Sequence, residues 1–134
     1  MDGPFDAPRG GGRVTALVWV GVAALGGVGA LARFALDAAV SERASGGLPL
    51  GTLVVNLTGA FALGVLSGAD VAGDGLLLAG TATLGSYTTF STWMLESERL
   101  GEDGQPGLLA LNLALSLALG LAAAALGRRL GAAL

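Results

Sequence analysis

GLLLAGTATLGSYTTFSTWML, Gly75 to Leu95, carries no charged side chain and is close to the length of a membrane crossing, yet its middle at Gly85 is a weak place for a helix. A hydrocarbon core about 30 Å thick takes about 20 helical residues at about 1.5 Å each. Inside that core no water satisfies the backbone, so N–H and C=O groups must find partners within the protein. Gly85-Ser86-Tyr87-Thr88-Thr89-Phe90-Ser91-Thr92-Trp93 puts glycine, hydroxyl and β-branched residues at this depth, and these are poor helix formers. The run therefore predicts a membrane helix broken at mid-depth. Such a break is tolerated when protein or an ion satisfies the freed carbonyls, and exposed carbonyls suit a small hard cation such as sodium.

Three further uncharged runs flank this one: Val14 to Ala32, continuing past Arg33 to Leu36; Ala44 to Ala69; and Gly104 to Gly127. Together they predict an all-α membrane protein with four transmembrane helices, at about 14–36, 48–69, 75–96 and 106–128, in one domain covering 14–130. The connections carry turn chemistry, as in Ser45-Gly46-Gly47 with Pro49, Asp70 to Asp74, and Gly101 to Pro106. Residues 1–13, rich in Gly, Pro and charge, read as a disordered tail. A signal peptide is the rival for the first run, with Arg9 and Arg13 ahead of it, but the run is too long and three more spans follow.

Composition agrees. Of 134 residues 53% are apolar and 13% charged, about half the charge of a typical water-soluble domain. With no cysteine and no histidine, disulfides, thiol nucleophiles, soft-metal sites and histidine acid-base pairs are excluded. No basic cluster is present to bind nucleic acid, and no enzyme activity is expected.

An even number of spans puts both termini on one side. That side holds Arg9, Arg13, Arg128 and Arg129, and the other holds Arg33, Arg43 and Arg99. Orientation needs a Lys and Arg excess on one side, and this split supplies almost none. The chain is expected to insert both ways up, and antiparallel copies can then pair about a two-fold axis in the membrane plane. A weakly biased single topology is the alternative.

Asn56, Gly85 and Ser116 lie at the centres of three different spans. Asn56 and Ser116 offer neutral hydrogen-bond donors, which also commonly join helices to one another. Phe90 and Trp93, three residues apart, share a helix face, and aromatic edges are electropositive enough to favour an anion. No carboxylate or lysine falls inside a span, which argues against coupled transport and for passive movement of a neutral species or a small anion. Arg33 either snorkels to the interface or forms a positive vestibule. Gly64 to Gly68 forms a GxxxG pattern for close helix packing.

Gly26-Gly27-Val28-Gly29-Ala30-Leu31-Ala32-Arg33-Phe34, Gly51-Thr52-Leu53-Val54-Val55-Asn56 with Gly59, Phe61 and Gly64, and the Gly85 to Trp93 run resemble the Fluc (CrcB-type) fluoride channels in order and spacing. The resemblance covers roughly Val14 to Gly127. It implies a dual-topology homodimer in the cell's inner (plasma) membrane, with two antiparallel fluoride pores and a central sodium ion between the broken third helices. Carried over by position, Phe90 and Trp93 would form the aromatic box, with Asn56 and Thr92 lining the pore. Asn112 and Ser116 would line the polar track of the fourth helix, Gly85 and Thr88 would give carbonyls to sodium, and Arg33 would sit by the vestibule. The implied activity is passive export of cytoplasmic fluoride, preventing its toxic accumulation.

Three departures stand out. Trp93 replaces a usual Phe and adds an N–H donor, Ser86 replaces a usual Gly at the break, and Gly120 and Ala124 carry no hydroxyl. They are expected to alter rate more than selectivity. The rivals are a small multidrug-type exporter, which needs an acidic residue that Val14 to Ala32 lacks, and a non-conducting membrane assembly subunit.

Overall fold

The computed structural model describes residues 15–134, and these are helical almost throughout, with no strand among them. The expected tail, residues 1–13 with Arg9 and Arg13, lies outside the described residues. Helix α1 (Ala16–Ser41) opens on Thr15, whose hydroxyl accepts the Val18 N–H at 3.4 Å. It runs on beyond Leu36, where the first span was expected to end. Asp37 and Ser41 are one turn apart, and the Ser41 hydroxyl donates to Asp37 Oδ1 at 3.1 Å, so the helix carries a carboxylate with a local partner.

Helix α2 (Leu50–Gly68) follows, and the third run then comes in pieces: α3 (Gly73–Gly75), a π-helical segment (Leu76–Leu84), α4 (Gly85–Tyr87) and α5 (Phe90–Glu102). Helix α6 (Pro106–Gly131) starts with proline in its first turn, where a missing N–H costs nothing. It ends with Arg128 and Arg129 against the negative end of the helix dipole. Helices α1, α2 and α6 are each long and apolar enough to cross a membrane, with mean hydropathy 1.7, 1.7 and 2.1. The interrupted third run supplies the remaining segment.

Helix α2 is the centre of the packing, with α6 on one side and α1 and the π-helical segment on the other. The α2–α6 contact is a reciprocal glycine zipper. A Cβ at Gly64 or Gly68 would collide with the carbonyl of Ala124 or Arg128, and one at Gly127 or Gly131 with that of Phe61 or Val65. Only residues without side chains let the two backbones approach so closely. The GxxxG pattern read from α2 is thus one half of this contact, and Gly127 and Gly131 are the other. The buried apolar side chains are Val55, Ala82 and Leu100, whereas Leu17, Trp19, Leu31, Phe34 and Leu121 point outward. Large apolar side chains on the outside are what lipid requires of a protein surface.

The break falls at Thr88 and Thr89, not at Gly85. Gly85 stays helical (φ −63°, ψ −35°), its N–H bonded back to the Gly80 carbonyl in the wider π pattern. Thr88 (φ −80°, ψ 159°) and Thr89 (φ −145°, ψ 122°) are extended, a conformation β-branched residues accept readily. Glycine permits a break, whereas Thr89 enforces one by capping α5, its hydroxyl accepting the Thr92 N–H at 3.2 Å. Ser86 lies within α4, its hydroxyl packed toward Gly26 of α1. The serine is therefore outside the two extended residues.

Candidate functional site

Asn56 sits on α2 opposite the break and holds it with both ends of its amide. Its Nδ2 donates to the Thr89 carbonyl at 2.9 Å, and its Oδ1 accepts the Thr89 N–H at 2.8 Å. An asparagine amide has two N–H donors, so one remains after this clamp. Asn56, expected to line the pore as a donor, thus also acts as a strut for the break and keeps one spare N–H. Tyr87 fastens the other side of the break, its hydroxyl 2.7 Å from that of Thr58 on α2.

These side-chain bonds have a consequence for the backbone. In a continuous helix the Thr89 N–H would bond the Gly85 carbonyl, and the Thr92 N–H the Thr88 carbonyl. The first N–H goes to Asn56 and the second to the Thr89 hydroxyl. Gly85 and Thr88 thus each lose the helical donor of their carbonyl. Both residues line a groove of about 370 Å³ with Asn56, Thr89, Phe90 and Trp93.

A second cavity, about 200 Å³, lies among α2, α5 and α6 and is lined by Leu53, Asn56, Leu57, Ala60, Trp93, Ser116, Leu117 and Gly120. Asn56, Ala60 and Trp93 line both spaces and form the wall between them. Phe90 and Trp93 meet edge to face, with centroids 5.6 Å apart and planes at 64°. Trp93 Nε1 and Ser116 Oγ are buried without a hydrogen-bond partner. Neither space has a charged side chain in its lining.

The structure thus brings Asn56, Gly85, Thr88, Phe90, Trp93 and Ser116 to the two spaces and leaves three expected residues off them. Asn112 is 2% exposed, and its Nδ2 donates at 3.0 Å to Ser97 Oγ, which itself donates at 2.7 Å to the Trp93 carbonyl. It joins α6 to α5 and fixes the backbone that carries Trp93. The Thr92 hydroxyl accepts from that of Thr89 at 3.0 Å and so belongs to the cap. Arg33 lines neither space, and its Nε is buried without a partner.

Profile and sequence comparisons extend this geometry. A family model described as "CrcB-like protein, Camphor Resistance (CrcB)" matches residues 20–128. A protein named fluoride-specific ion channel FluC 2 from Mycolicibacterium paratuberculosis is 56% identical over 116 residues, which are 87% of this chain and 95% of the relative. The FluC 2 of Mycobacterium tuberculosis is 50% identical over 115 residues, covering 86% and 91%. That of Haloarcula marismortui is 48% identical over 91 residues, covering 68% and 74%. The chain belongs to the CrcB family. The relatives are ion channels by name, not enzymes, and this CrcB chain is a multi-pass membrane protein.

One polar pair of this CrcB chain was missed by sequence reasoning. Thr52, 2% exposed and one turn before Asn56, donates to Glu96 Oε1 at 2.9 Å, while Oε2 is buried without a partner. A carboxylate therefore does face the protein interior near the end of the third segment. Glu96 read as the charge that closes the span. The signal was the spacing of Thr52 and Asn56, which places both on one face of α2.

Proposed function

We propose that this chain is a passive fluoride channel that lets cytoplasmic fluoride leave down its electrochemical gradient. The observation that carries the reading is the uncharged cavity among α2, α5 and α6, where the Trp93 indole N–H and the Ser116 hydroxyl are buried and unpaired. Such donors replace part of an anion's hydration, and without a fixed counter-charge they release it again. Helix α5 begins at Phe90 beside the cavity, and its first N–H groups and positive dipole end favour an anion there. The FluC names of the relatives support the same ion.

The working unit in this reading is an antiparallel homodimer in the cell's inner membrane. Supporting it, Phe90 is 71% exposed on the single chain, and the groove holding Gly85 and Thr88 opens outward, so a second copy can complete it. The near-even arginine split supports insertion in both orientations. Gly85 and Thr88 fit sodium, because their carbonyls have lost their helical donors and oxygen is the ligand a hard cation prefers. A sodium ion held by these carbonyls would supply a fixed positive charge.

The test is efflux from liposomes carrying purified protein, with fluoride or chloride inside and a potassium ionophore to balance charge. Fluoride should leave while chloride stays, and Phe90→Ile should stop the flux with the dimer intact. Equal fluoride and chloride efflux, or silence toward both, would overturn the reading. Drug-proton exchange would mark an exporter, and silence an assembly subunit.

A further inference from the structure

The break rests against α2 through Asn56 and Gly59, which are three residues apart and share a face of that helix. Asn56 accepts the Thr89 N–H, which belongs to the peptide joining Thr88 to Thr89. That peptide is trans, and the C=O and N–H of a trans peptide point in opposite directions. The Thr88 carbonyl is therefore turned away from Asn56 and from α2. Its position also depends on the Thr88 side chain. The Thr88 N–H and hydroxyl both donate to the Leu84 carbonyl, at 2.9 and 3.0 Å, and the methyl lies over Gly59. Gly59 is buried, and a Cβ there would collide with Thr88 Cγ2 and meet the Tyr87 ring at 3.3 Å. Rotating Thr88 to clear that Cβ would give up the hydroxyl bond, and keeping the bond would shift the backbone.

We propose that Gly59 is a positioning residue for the cation site: its bare surface seats the Thr88 methyl and so places the Thr88 carbonyl where a cation reaches it. This role builds on the reading of the groove as a sodium site, and Gly59, Gly85 and Thr88 all line that groove. Helix α2 then controls one peptide at two points. Asn56 sets the direction in which the peptide plane faces, and Gly59 sets how close the plane stands to α2. Gly59 lies inside α2 and is not among the glycines of positive φ, so the position needs room and not backbone freedom. A hard cation is held by several oxygens converging at fixed distances, and a carbonyl pushed off its place weakens the set.

A collision with one methyl can be relieved from the other side, because Thr88→Ser removes Cγ2 and keeps the hydroxyl that bonds Leu84. The readout is the melting temperature of the purified chain in detergent against sodium chloride, with N-methyl-D-glucamine chloride holding ionic strength constant. A ligand that binds the folded state raises the melting temperature once its concentration passes its dissociation constant. Gly59→Ala should move the onset of that rise roughly tenfold or more to higher sodium, and adding Thr88→Ser should bring it back to within about threefold of the unaltered chain. If Gly59→Ala melts lower without sodium but keeps the parent onset, the glycine serves packing alone, the positioning role is wrong and the sodium reading stands. A double variant whose onset stays as high as that of Gly59→Ala overturns the role equally. If the unaltered chain shows no sodium-dependent rise, the sodium reading falls and the role of Gly59 falls with it. Where Gly59→Ala alone fails to fold, the double variant decides: a parent-like onset supports the role, and failure of that variant too overturns it.

Discussion

Asn56 gives both ends of its amide to one residue, and that choice sets where the third segment breaks. Asn56→Leu leaves the Thr89 N–H and C=O without their partners in a setting with little water. Each orphaned group costs about 1–3 kcal/mol, so the variant should melt several degrees lower in detergent and lose fluoride flux. A variant with an unchanged melting temperature would mean that the clamp does not hold the break. The residues of this region were legible as a set, because polar side chains are expensive at mid-depth and so mark themselves. Their division of labour was not. The family resemblance placed Asn112 with Ser116, one turn apart on α6, yet Asn112 bonds Ser97 on α5 and only Ser116 lines the cavity. Partners on another helix decide such cases, and spacing within one helix carries no information about them.

At the scale of elements, the crossing of α2 and α6 is the rigid frame against which the broken segment is held. Gly127→Ile would drive a branched side chain into the Phe61 carbonyl, where no side chain can yield. Overpacking of this kind costs about 1–3 kcal/mol, and here backbone must move to relieve it. The variant should lower the melting temperature and the yield of folded protein, whereas Gly120→Ala, which meets nothing within contact distance, should leave stability near that of the parent. The α2 half of this crossing was visible as Gly64 and Gly68, since four-residue glycine spacing puts both on one face. The α6 half was hidden in a run of alanine, glycine and leucine where several faces look equally small. Helix α1 runs past the expected span for a different reason. Asp37 reads as a stop signal in sequence, but Ser41 one turn later gives it a partner and lets the helix continue to the membrane surface.

At the scale of the whole molecule, charge is arranged by exclusion. The two spaces around Asn56 and Trp93 have no charged lining, and the carboxylate of Glu96 is held to one side by Thr52. A pathway of this kind does no work on its ion, so the account makes a thermodynamic claim: the protein conducts fluoride passively and discriminates against chloride. The reversal potential of purified protein in a planar bilayer tests that claim most directly, with unequal fluoride on the two sides and equal chloride on both. The account predicts a current that reverses at the fluoride equilibrium potential and follows it when the fluoride gradient is inverted. A reversal potential indifferent to fluoride, or one that tracks chloride or protons, would contradict it.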